Sequence, residues 1–567
     1  MGQTQDQYTY DAIVIGSGIS GGWAAKELCE KGLKTLVIDR GRNVQHLKDY
    51  PTSFKHPWEF DHRGRMPLKV KQENPVVSRC YAFTEAAAHF FLKDTEQPYI
   101  QEKPFDWIRG NQVGGKSLLW ARQVQRWSRY DFEGPARDGF AVAWPFTYDE
   151  LAPWYSHVER FIGVSGNKDG LEVLPDGEFL PPWQFNQCES TIKEGILKRY
   201  KDRHVVIGRC AHLTKPQQVH IDQGRGQCQA RSMCERGCPY GGYFSSNSST
   251  LPWAAKTGNL TLLPDSAVHS IIYDAKARRA TGVKVINTHD KTVKDYHAKI
   301  IFVNGSTMAT NQVLLNSISD RFPNGLGNDS GLLGKFVAFH NYRGSLTATM
   351  DGMEDSYYFG RRPCAVMMPN FRNVYKQDSD FQRGYMTFYS ATRPNWARSV
   401  PDETGIGEEL KNTLTEAGGW GIYMMMQGET IPKESNHVRL SEDKDPMGLP
   451  QLIISVGYDE NDELILKDFS QQAYNMLEAA GAKNIQFRDS RQAPGLDIHE
   501  MGGVRMGKDS KTSLLNAYNQ LHACKNVFVT DGACMTSTGT QNPSLTFMAI
   551  TARAANYAVA ELKKQNL

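Results

Sequence analysis

The sequence predicts an α/β protein (α+β overall) that combines a parallel sheet with a second, mainly antiparallel sheet. Two short apolar runs, residues 11–15 and 34–38, flank a helical pattern and are typical of buried parallel strands. Alternating apolar runs between residues 260 and 317 surround a turn, which favours a β-meander. At 567 residues the chain is too long for one small core, so we expect two domains.

The first apolar run leads into a glycine-rich turn, GSGISGG, and then into a helical segment that closes at Gly32. Gly16 permits a tight turn, Gly18 lets the backbone approach a pyrophosphate, and Gly21 allows close packing of helix on strand. The free N–H groups at the start of the helix favour phosphate groups. Asp39 ends the second strand, where a carboxylate accepts hydrogen bonds from a ribose diol. These features predict a Rossmann-like dinucleotide site. Asp39 argues against NADP and leaves NAD and FAD open.

A second glycine pair lies in the segment VGGKSLLW. Gly114 and Gly115 open an apolar stretch, where backbone N–H groups close to Ser117 would face a flavin or a phosphate. A plain junction between a loop and a helix explains the same residues, and the sequence leaves both interpretations open. Farther on, residues 300–303 predict a buried strand that runs into a Gly/Ser turn and a helix, which returns the chain to the nucleotide-binding sheet.

The charge of the chain argues against two classes of partner. The net charge is +3, and no block of Lys and Arg stands out, so neither nucleic acid nor an anionic membrane surface is indicated. No stretch reaches the ~18 apolar residues that a membrane span needs, and no signal peptide precedes the first strand. We expect a soluble chain with no membrane span of its own, cytoplasmic, or periplasmic if a partner subunit exports it.

Two loops near the C-terminus carry polar residues suited to catalysis. His499 lies in DIHEMGGVRMG, and Asn542 and Pro543 directly precede an apolar helix in TSTGTQNPSLTFMAI. A neutral imidazole with a pKa of ~6.5 is a suitable base for a hydroxyl proton, and a carboxamide donates to an oxygen on which negative charge develops. The flanking glycines favour a catalytic role for His499 over that of an ordinary buried histidine. His340, in VAFHNY, is a second candidate, for which the ordinary role is favoured.

The motifs GSGISGG, VGGKSLLW, VNGSTMATNQVLLNS, HEMGGVRMG and TDGACMTSTGTQNPSLT resemble, in this order and across nearly the whole chain, those of the glucose-methanol-choline (GMC) family of FAD oxidoreductases. The Asn-Pro form of the last motif looks most like the bacterial sugar dehydrogenases of the glucoside 3-dehydrogenase type, which are related to pyranose oxidases. The resemblance implies FAD and a substrate domain whose sheet covers the flavin. The implied segments are 1–45, 107–130, 206–335 and 491–567 for the FAD-binding domain, and 46–106, 131–205 and 336–490 for the substrate domain and lid-like insertions.

The resemblance also implies roles for the C-terminal residues. His499 matches the active-site histidine of the family, and Asn542 takes the position of its second His or Asn. Pyranose oxidases often carry a histidine just before the tryptophan of the second glycine motif and bond it covalently to the flavin. Leu119 stands at that position here, so we expect FAD to be bound non-covalently.

Further cofactor contacts implied by the resemblance come from two other regions. Asp531 and Gly532 match residues near the ribityl and pyrophosphate groups of the flavin. Ala267 and Val268 fall where the family contacts adenine through the backbone.

Three of the ten cysteines are clustered, and Pro239 follows the last of them. The spacing is Cys228-x5-Cys234-x3-Cys238, and closely spaced thiolates of this kind are typical of iron–sulfur loops. The same spacing resembles a loop of FAD sugar dehydrogenases that hold a three-iron (3Fe-4S) cluster, and this cluster is our expectation. A disulfide between Cys228 and Cys234, or free thiols, would explain part of the pattern. A zinc site is less attractive because no fourth ligand is obvious nearby.

These residues predict a dehydrogenase that oxidises a secondary hydroxyl of a sugar or glycoside, with C3 of a glucoside favoured. His499 takes the hydroxyl proton, the hydride of the carbon passes to flavin N5, and the electrons leave through the iron–sulfur centre. The expected acceptor is a cytochrome or a small subunit. Four alternatives stay open: a pyranose oxidase-type enzyme that uses O2, the catalytic subunit of a gluconate or glucose dehydrogenase, a non-catalytic FAD electron-relay subunit, and a nicotinamide dehydrogenase.

Overall fold

The computed structural model describes residues 9–356, 363–393 and 405–567. Residues 1–8, on which the expected absence of a signal peptide partly rests, lie outside this part of the chain. The helices, in chain order, are α1 Ile19–Glu30, α2 Leu68–Glu73, α3 Arg129–Arg137, α4 Tyr148–Ile162, α5 Gln187–Arg199, α6 Gln218–Asp222, α7 Thr250–Lys256, α8 Thr307–Leu315, α9 Glu408–Thr415, α10 Glu460–Ala479 and α11 Ser544–Lys563.

The strands of the described residues form three larger sheets and one two-stranded pair. In chain order they are β1 Tyr10–Ile15, β2 Thr35–Ile38, β3 Ile100–Gln101, β4 Val164–Ser165, β5 Phe179–Leu180, β6 Val206–Ile207, β7 Leu260–Leu263, β8 Ser266–Asp274, β9 Arg279–Asn287, β10 Val293–Val303, β11 Lys335–Ala338, β12 His340–Asn341, β13 Gly344–Met350, β14 Val366–Met368, β15 Tyr385–Thr392, β16 Trp420–Glu429, β17 His437–Lys444, β18 Pro450–Ser455, β19 Lys483–Asp489, β20 Met501–Gly503, β21 Gln520–Leu521 and β22 Cys524–Val529.

The first sheet contains the parallel strands that the apolar runs predict. β1 pairs in parallel with β10 on one side and with β2 on the other, and the order is β21-β22-β10-β1-β2-β7. Ile13 and Val14 of β1 are completely buried, as expected for a strand that is covered on both faces. β8, β9 and β10 form the predicted antiparallel meander. The α/β prediction is confirmed.

The first and last helices pack side by side against this sheet. α1 contacts α11 through small, fully buried side chains, among them Ala24 and Ala554, which let two helices approach closely. The amide of Asn556 donates to the carboxylate of Glu27 at 3.1 Å, although 529 positions separate the two residues. The two ends of the described chain therefore pack against each other on the same sheet.

The second sheet is antiparallel in all its strand pairings, in the order β19-β13-β16-β15-β14-β6, with β12 paired to β16. α10 packs against β13 and β16, and α5 packs against α10. Met424 and Met426 of β16 are completely buried in the resulting core, as expected for methionine, whose flexible side chain fills irregular gaps.

A third sheet, β20-β11-β17-β18-β3, joins segments that lie far apart in the sequence. β20 follows the His499 loop directly, so this sheet fixes the position of the loop. β6 lies in the antiparallel sheet, although its residues fall in a segment that was predicted to belong to the FAD-binding domain. The proposed domain boundaries remain a prediction.

The apolar pattern of the sequence predicts a helix at residues 469–480. In the structure this helix, α10, begins earlier, at Glu460. Its added N-terminal turns are rich in acidic residues, which stabilise the positive end of a helix dipole but do not produce a clear apolar period. Asp459 caps the helix and accepts a hydrogen bond from the backbone N–H of Asp462 at 3.1 Å. No helix in the described part of the chain is long and apolar enough to cross a membrane.

Candidate active site

The three glycines after β1 occupy different environments. Gly16 has a φ of +92°, and a Cβ atom there would lie 2.3 Å from the carbonyl oxygen of Asn304. A Cβ at Gly21 would lie 2.0 Å from the carbonyl oxygen of Gly16, so the helix packs on the turn without a side chain between them. A Cβ at Gly18 would meet nothing within 4 Å. The turn is therefore closed at Gly16 and Gly21 and open at Gly18, where a ligand can approach the backbone.

Asp39 lies beside this turn at the end of β2. Its carboxylate accepts hydrogen bonds from the backbone N–H of Ser17 at 3.1 Å and of Gly41 at 2.9 Å, and also from the hydroxyl of Ser17. Burial raises the pKa of Asp39 to about 6. The backbone N–H of Ser266 donates to the carbonyl oxygen of Asp39 at 2.9 Å, which places the start of β8, with Ala267 and Val268, next to Asp39.

The second glycine motif is joined directly to the first. The backbone N–H of Gly114 donates to the hydroxyl of Ser17 at 2.8 Å, and the hydroxyl of Ser117 donates to the carbonyl oxygen of Gly114 at 2.6 Å. A Cβ at Gly115 would lie 3.4 Å from the Cα of Gly18, so these two glycines face each other. Of the two interpretations left open by the sequence, this contact favours a shared ligand cradle.

The Ser-rich segment that follows the cysteine loop completes this cradle, although none of the sequence motifs predicted such a role for it. The hydroxyl of Ser246 donates to the carbonyl oxygen of Gly18 at 2.9 Å, and the backbone N–H of Ser246 donates to the hydroxyl of Ser117 at 3.1 Å. Asn247 occupies the space beside Gly114, where a Cβ would collide with its side chain. The run FSSNSST was a visible signal, since six polar residues in a row are unusual for a completely buried segment.

Asp531 and Gly532 lie where β22 ends, beside the start of α8. Both carboxylate oxygens of Asp531 accept hydrogen bonds from the protein, one from the hydroxyl of Thr310 at 2.6 Å and one from the backbone N–H of Ala533 at 3.0 Å. A Cβ at Gly532 would lie 2.3 Å from the hydroxyl oxygen of Thr307. The Asp531 carboxylate therefore shapes this turn, and its predicted contribution to a cofactor site remains a prediction.

His499 and Asn542 face each other. The Nδ2 atom of Asn542 lies 3.5 Å from Nε2 of His499, and Pro543 directly precedes α11, which fixes the end of the Asn542 loop. Asn542 is buried, and its Oδ1 atom has no hydrogen-bond partner among the described residues. Ile498, directly before His499, has a φ of +62°, which is rare and strained for a β-branched residue. The structure brings the two predicted catalytic side chains together and holds one with a strained backbone.

His340 also belongs to this group, although the sequence favoured an ordinary buried histidine at that position. Its Nδ1 atom lies 2.8 Å from Nδ1 of His499, and its Nε2 atom lies 3.0 Å from the carbonyl oxygen of Gly539 and 3.2 Å from that of Thr538. The side chain of His340 is completely buried on β12. No spacing in the sequence could reveal this contact, since 159 positions separate the two histidines.

Burial and nearby positive charge keep these imidazoles neutral. Burial lowers the pKa of His499 well below its ordinary value of 6.5, and His340 and the ammonium group of Lys116 lower it further. Burial lowers the pKa of His340 to about 4. Both rings are therefore uncharged at neutral pH, and His499 is available as a base.

Tyr342 adds an aromatic wall to the site and was also missed. Its ring meets that of His499 edge-on, with the ring centres 5.8 Å apart, and its hydroxyl donates to the Oε1 atom of Gln427. Gln427 in turn donates to the carbonyl oxygen of Thr540 at 2.6 Å. The antiparallel sheet thus supports the loop that carries Asn542.

The cysteine loop borders a cavity of about 1010 Å³ that His499 does not line. Aromatic and amide side chains cover part of its wall, including Tyr81, Gln123, Trp183 and Phe185. Cys228 and Cys234 also line it, so the loop and the cavity form one region of the molecule.

The expected 3Fe-4S cluster is not supported by this geometry. Among the residues that the structure describes, no three His, Cys, Asp or Glu side chains are grouped so that they could hold a metal ion. The three cysteines are free thiols, which also excludes the Cys228–Cys234 disulfide here. Burial raises the pKa of Cys228 to about 11 and raises that of Cys234, so both side chains are thiols in the absence of a metal. The thiol of Cys238 instead accepts from the backbone N–H of Gly242 at 3.3 Å.

The residues of the glycine cradle and of the histidine site fit a bound FAD. The first turn of α1 has no side-chain cap, so its N–H groups are available to a pyrophosphate next to the open side of Gly18. Asp39 lies at the far end of the same turn, where a ribose diol would be bound. The unpartnered Oδ1 atom of Asn542 marks the other end, where a flavin and a substrate would complete the site.

The fold and the site combine a glycine cradle that fits a dinucleotide with a buried pair of histidines beside Asn542, an arrangement suited to an oxidoreductase. Comparison with family models identifies its family: the two models described as GMC oxidoreductase match residues 10–335 and 432–551. The chain belongs to the GMC oxidoreductase family, whose members bind FAD, and it is an enzyme that acts on CH–OH donors. The resemblance of the sequence motifs to this family is confirmed.

Two characterised relatives match the chain over nearly its whole length. The large subunit of fructose dehydrogenase from Gluconobacter japonicus is 24% identical over 577 residues, which cover 98% of both chains. The paromamine 6'-oxidase of Streptomyces fradiae is 26% identical over 573 residues, covering 98% of this chain and 92% of the relative. Among solved structures, pyridoxine 4-oxidase from Mesorbium loti has a TM-score of 0.61 at 16% identity, covering 96% of this chain and 98% of that one. This last likeness supports the fold.

Proposed function

We propose that the protein is an FAD-dependent dehydrogenase that oxidises a secondary ring hydroxyl of a sugar or glycoside to the ketone, with C3 of a glucoside as the favoured position. The observation that carries the proposal is the pairing of the neutral imidazole of His499 with the carboxamide of Asn542. A base and a hydrogen-bond donor on one side of a hydroxyl group are what alcohol oxidation needs.

In the proposed reaction, Nε2 of His499 accepts the proton of the substrate hydroxyl. The Nδ2 group of Asn542 donates a hydrogen bond to the same oxygen and stabilises the negative charge that develops on it. Bound FAD supplies the acceptor for the hydride of the carbinol carbon. The wall formed by Tyr342 and the buried loop around Gly539 restricts water around the base.

The sugar class is supported by the relatives. The names of fructose dehydrogenase and paromamine 6'-oxidase indicate a sugar and an amino sugar derivative as their substrates.

Flavin reduction under anaerobic conditions tests the proposal. The protein with its FAD is mixed with methyl glucosides that lack one hydroxyl each, and the loss of the visible flavin absorbance is followed. We expect the 2-deoxy, 4-deoxy and 6-deoxy compounds to bleach the flavin and the 3-deoxy compound to leave it oxidised. If none of a panel of pyranosides bleaches it, the substrate class is wrong. If a different deoxy compound fails, only the carbon is wrong.

The electron acceptor is tested separately. One relative is an oxidase and another is the large subunit of a dehydrogenase, so O2 and a partner protein are both represented among the relatives. We propose a partner protein, a cytochrome or small subunit, as the acceptor. Turnover with a soluble dye and no peroxide formation in air would support this, and peroxide formation at the rate of turnover would favour an oxidase.

The 3Fe-4S cluster that the cysteine spacing predicts has no part in the proposed proton and hydride steps. The iron and acid-labile sulfide contents of the purified wild-type protein and of the Cys228→Ser variant test it. Stoichiometric iron in the wild type that is lost in the variant would show that a cluster is bound and would support it as the route from flavin to acceptor. Iron-free protein with unchanged dye reduction would leave the loop with a structural role.

A further inference from the structure

We propose that His340 is a positioning residue that fixes the tautomer of His499, so that the lone pair of His499 lies on Nε2, the atom that faces Asn542. The inference rests on the proposed function, since it explains how the base is kept ready to accept a substrate proton. It follows from hydrogen-bonding rules applied to a chain of three groups: two carbonyl oxygens, His340 and His499.

The first step concerns the proton on His340. Its Nε2 atom lies within hydrogen-bond distance of the carbonyl oxygens of Thr538 and Gly539, and carbonyl oxygens only accept. Nε2 of His340 must therefore carry a proton. The ring is completely buried and neutral, so it has a single N–H, and its Nδ1 atom carries a lone pair.

The second step concerns the proton on His499, whose position follows from that of the proton on His340. The two Nδ1 atoms are 2.8 Å apart, which is a hydrogen-bond distance, and one of them must donate. Because Nδ1 of His340 is an acceptor, Nδ1 of His499 carries the proton. His499 is neutral as well, so its Nε2 atom is the unprotonated one. That atom is the nitrogen toward which the amide of Asn542 points.

The backbone holds the two rings in this relation. Oδ2 of Asp497 accepts from the backbone N–H of His340 at 3.0 Å and from that of His499 at 3.2 Å, so one carboxylate joins both main-chain segments. Burial raises the pKa of Asp497 to about 7. His340 lies on β12, whose pairing with β16 anchors it in the antiparallel sheet. The antiparallel sheet, through His340, thereby sets which ring nitrogen of His499 carries the proton.

Two substitutions separate this role from simple packing. His340→Leu removes both the acceptor and the donor, whereas His340→Asn keeps an oxygen at the position of Nδ1 that can accept from His499. His289→Leu, at an exposed histidine whose ring lies 3.5 Å from the Asp265 carboxylate, is the control for loss of an imidazole. Each variant is prepared with FAD, and its FAD content and melting temperature are recorded first.

The direct readout is nitrogen NMR of protein labelled with ¹⁵N-histidine, which distinguishes protonated from unprotonated ring nitrogens without any substrate. His499→Gln identifies the His499 signals. We expect an unprotonated Nε2 on His499 in the wild-type protein and in His340→Asn, and a mixture of both tautomers in His340→Leu. A protonated Nε2 in the wild type, or an unchanged spectrum in His340→Leu, would overturn the proposal.

The kinetic readout is the limiting rate of flavin reduction by the substrate. A mixture of tautomers leaves only part of the protein with the lone pair on Nε2, so this rate should fall by about twofold to tenfold in His340→Leu with little change in KM. His340→Asn should recover most of the loss. Equal losses in both variants would indicate a packing role and contradict the inference. If no pyranoside reduces the wild-type flavin, the proposed function fails while the NMR result still decides the tautomer.

Discussion

Nε2 of His499 and Nδ2 of Asn542 lie 3.5 Å apart, although 43 positions separate the two residues in the sequence. His499 comes from the loop that leads into the third sheet, and Asn542 from the loop that precedes α11. The pair is supported by His340, Tyr342 and a strained backbone at Ile498, so both side chains are held before any ligand binds.

Replacement of His499 by Gln should lower the limiting rate of flavin reduction by about 10²–10⁴-fold, because a general base contributes an effect of that size. The FAD content should stay at the wild-type level, since the glycine cradle is unchanged. Stopped-flow reduction by a pyranoside measures the rate. Replacement of Asn542 by Ala should give a smaller loss, because a single hydrogen bond to the developing charge is removed. An unchanged rate in His499→Gln would remove this residue from the mechanism.

We expect kcat/KM to fall on the acid side of its pH profile only at a pH below 6.5. The base must be unprotonated, and burial first, then His340 and Lys116, lower the pKa of His499 below 6.5. The rate should therefore stay constant as the pH falls through 6.5 and decline only below it. Lys116→Met removes a nearby positive charge, so it should raise the pKa of His499 and move the limb to higher pH. Lys116→Arg, which keeps the charge, should leave the limb in place, and a limb that moves equally in both would contradict this origin.

Gly18→Ala should weaken FAD binding without destabilising the protein. The backbone of Gly18 has an ordinary φ of −65°, and an added Cβ meets no protein atom within 4 Å, so the methyl group would occupy ligand space. We expect affinity for FAD to fall by about tenfold, or about 1.4 kcal/mol, as measured by titration of the stripped protein.

We expect the opposite result at Gly21, where an added methyl group should destabilise the protein. In Gly21→Ala the Cβ would lie 2.0 Å from the carbonyl oxygen of Gly16, and overpacking of this kind costs about 1–3 kcal/mol. Urea unfolding measures this loss. Gly419→Ala, where a Cβ also meets nothing within 4 Å, is the neutral control for both variants. A destabilised Gly18→Ala protein would show that the space at Gly18 is not reserved for a ligand.

The flavin should be released intact when the protein is denatured. Leu119 occupies the position at which related enzymes carry the tethering histidine, and its buried side chain has no atom that could form such a bond. Acid precipitation should leave a colourless pellet and free FAD in the supernatant, identified by chromatography. A yellow pellet would show a covalent bond to another residue.

The core of the fold was predictable because its signals are local. The strand, turn and helix around Gly16 to Asp39 and the meander of β8 to β10 follow from apolar periods and glycines within short windows. The start of α10 was not predicted, because its acidic first turns carry no apolar period. The cysteine spacing suggested a metal site, but spacing alone does not orient three thiols toward one point, and the described residues show no such group.

The sequence by itself determined the class of the protein, its cofactor and its two principal catalytic candidates, since each is carried by a motif of a few consecutive residues. Tertiary structure alone decided that His340 contacts His499, that Ser246 completes the glycine cradle and that Tyr342 lines the site. The physical reason is that hydrogen bonds between side chains depend on distances of about 3 Å. Such distances between distant segments are set by the packing of whole sheets and leave no local pattern in the chain.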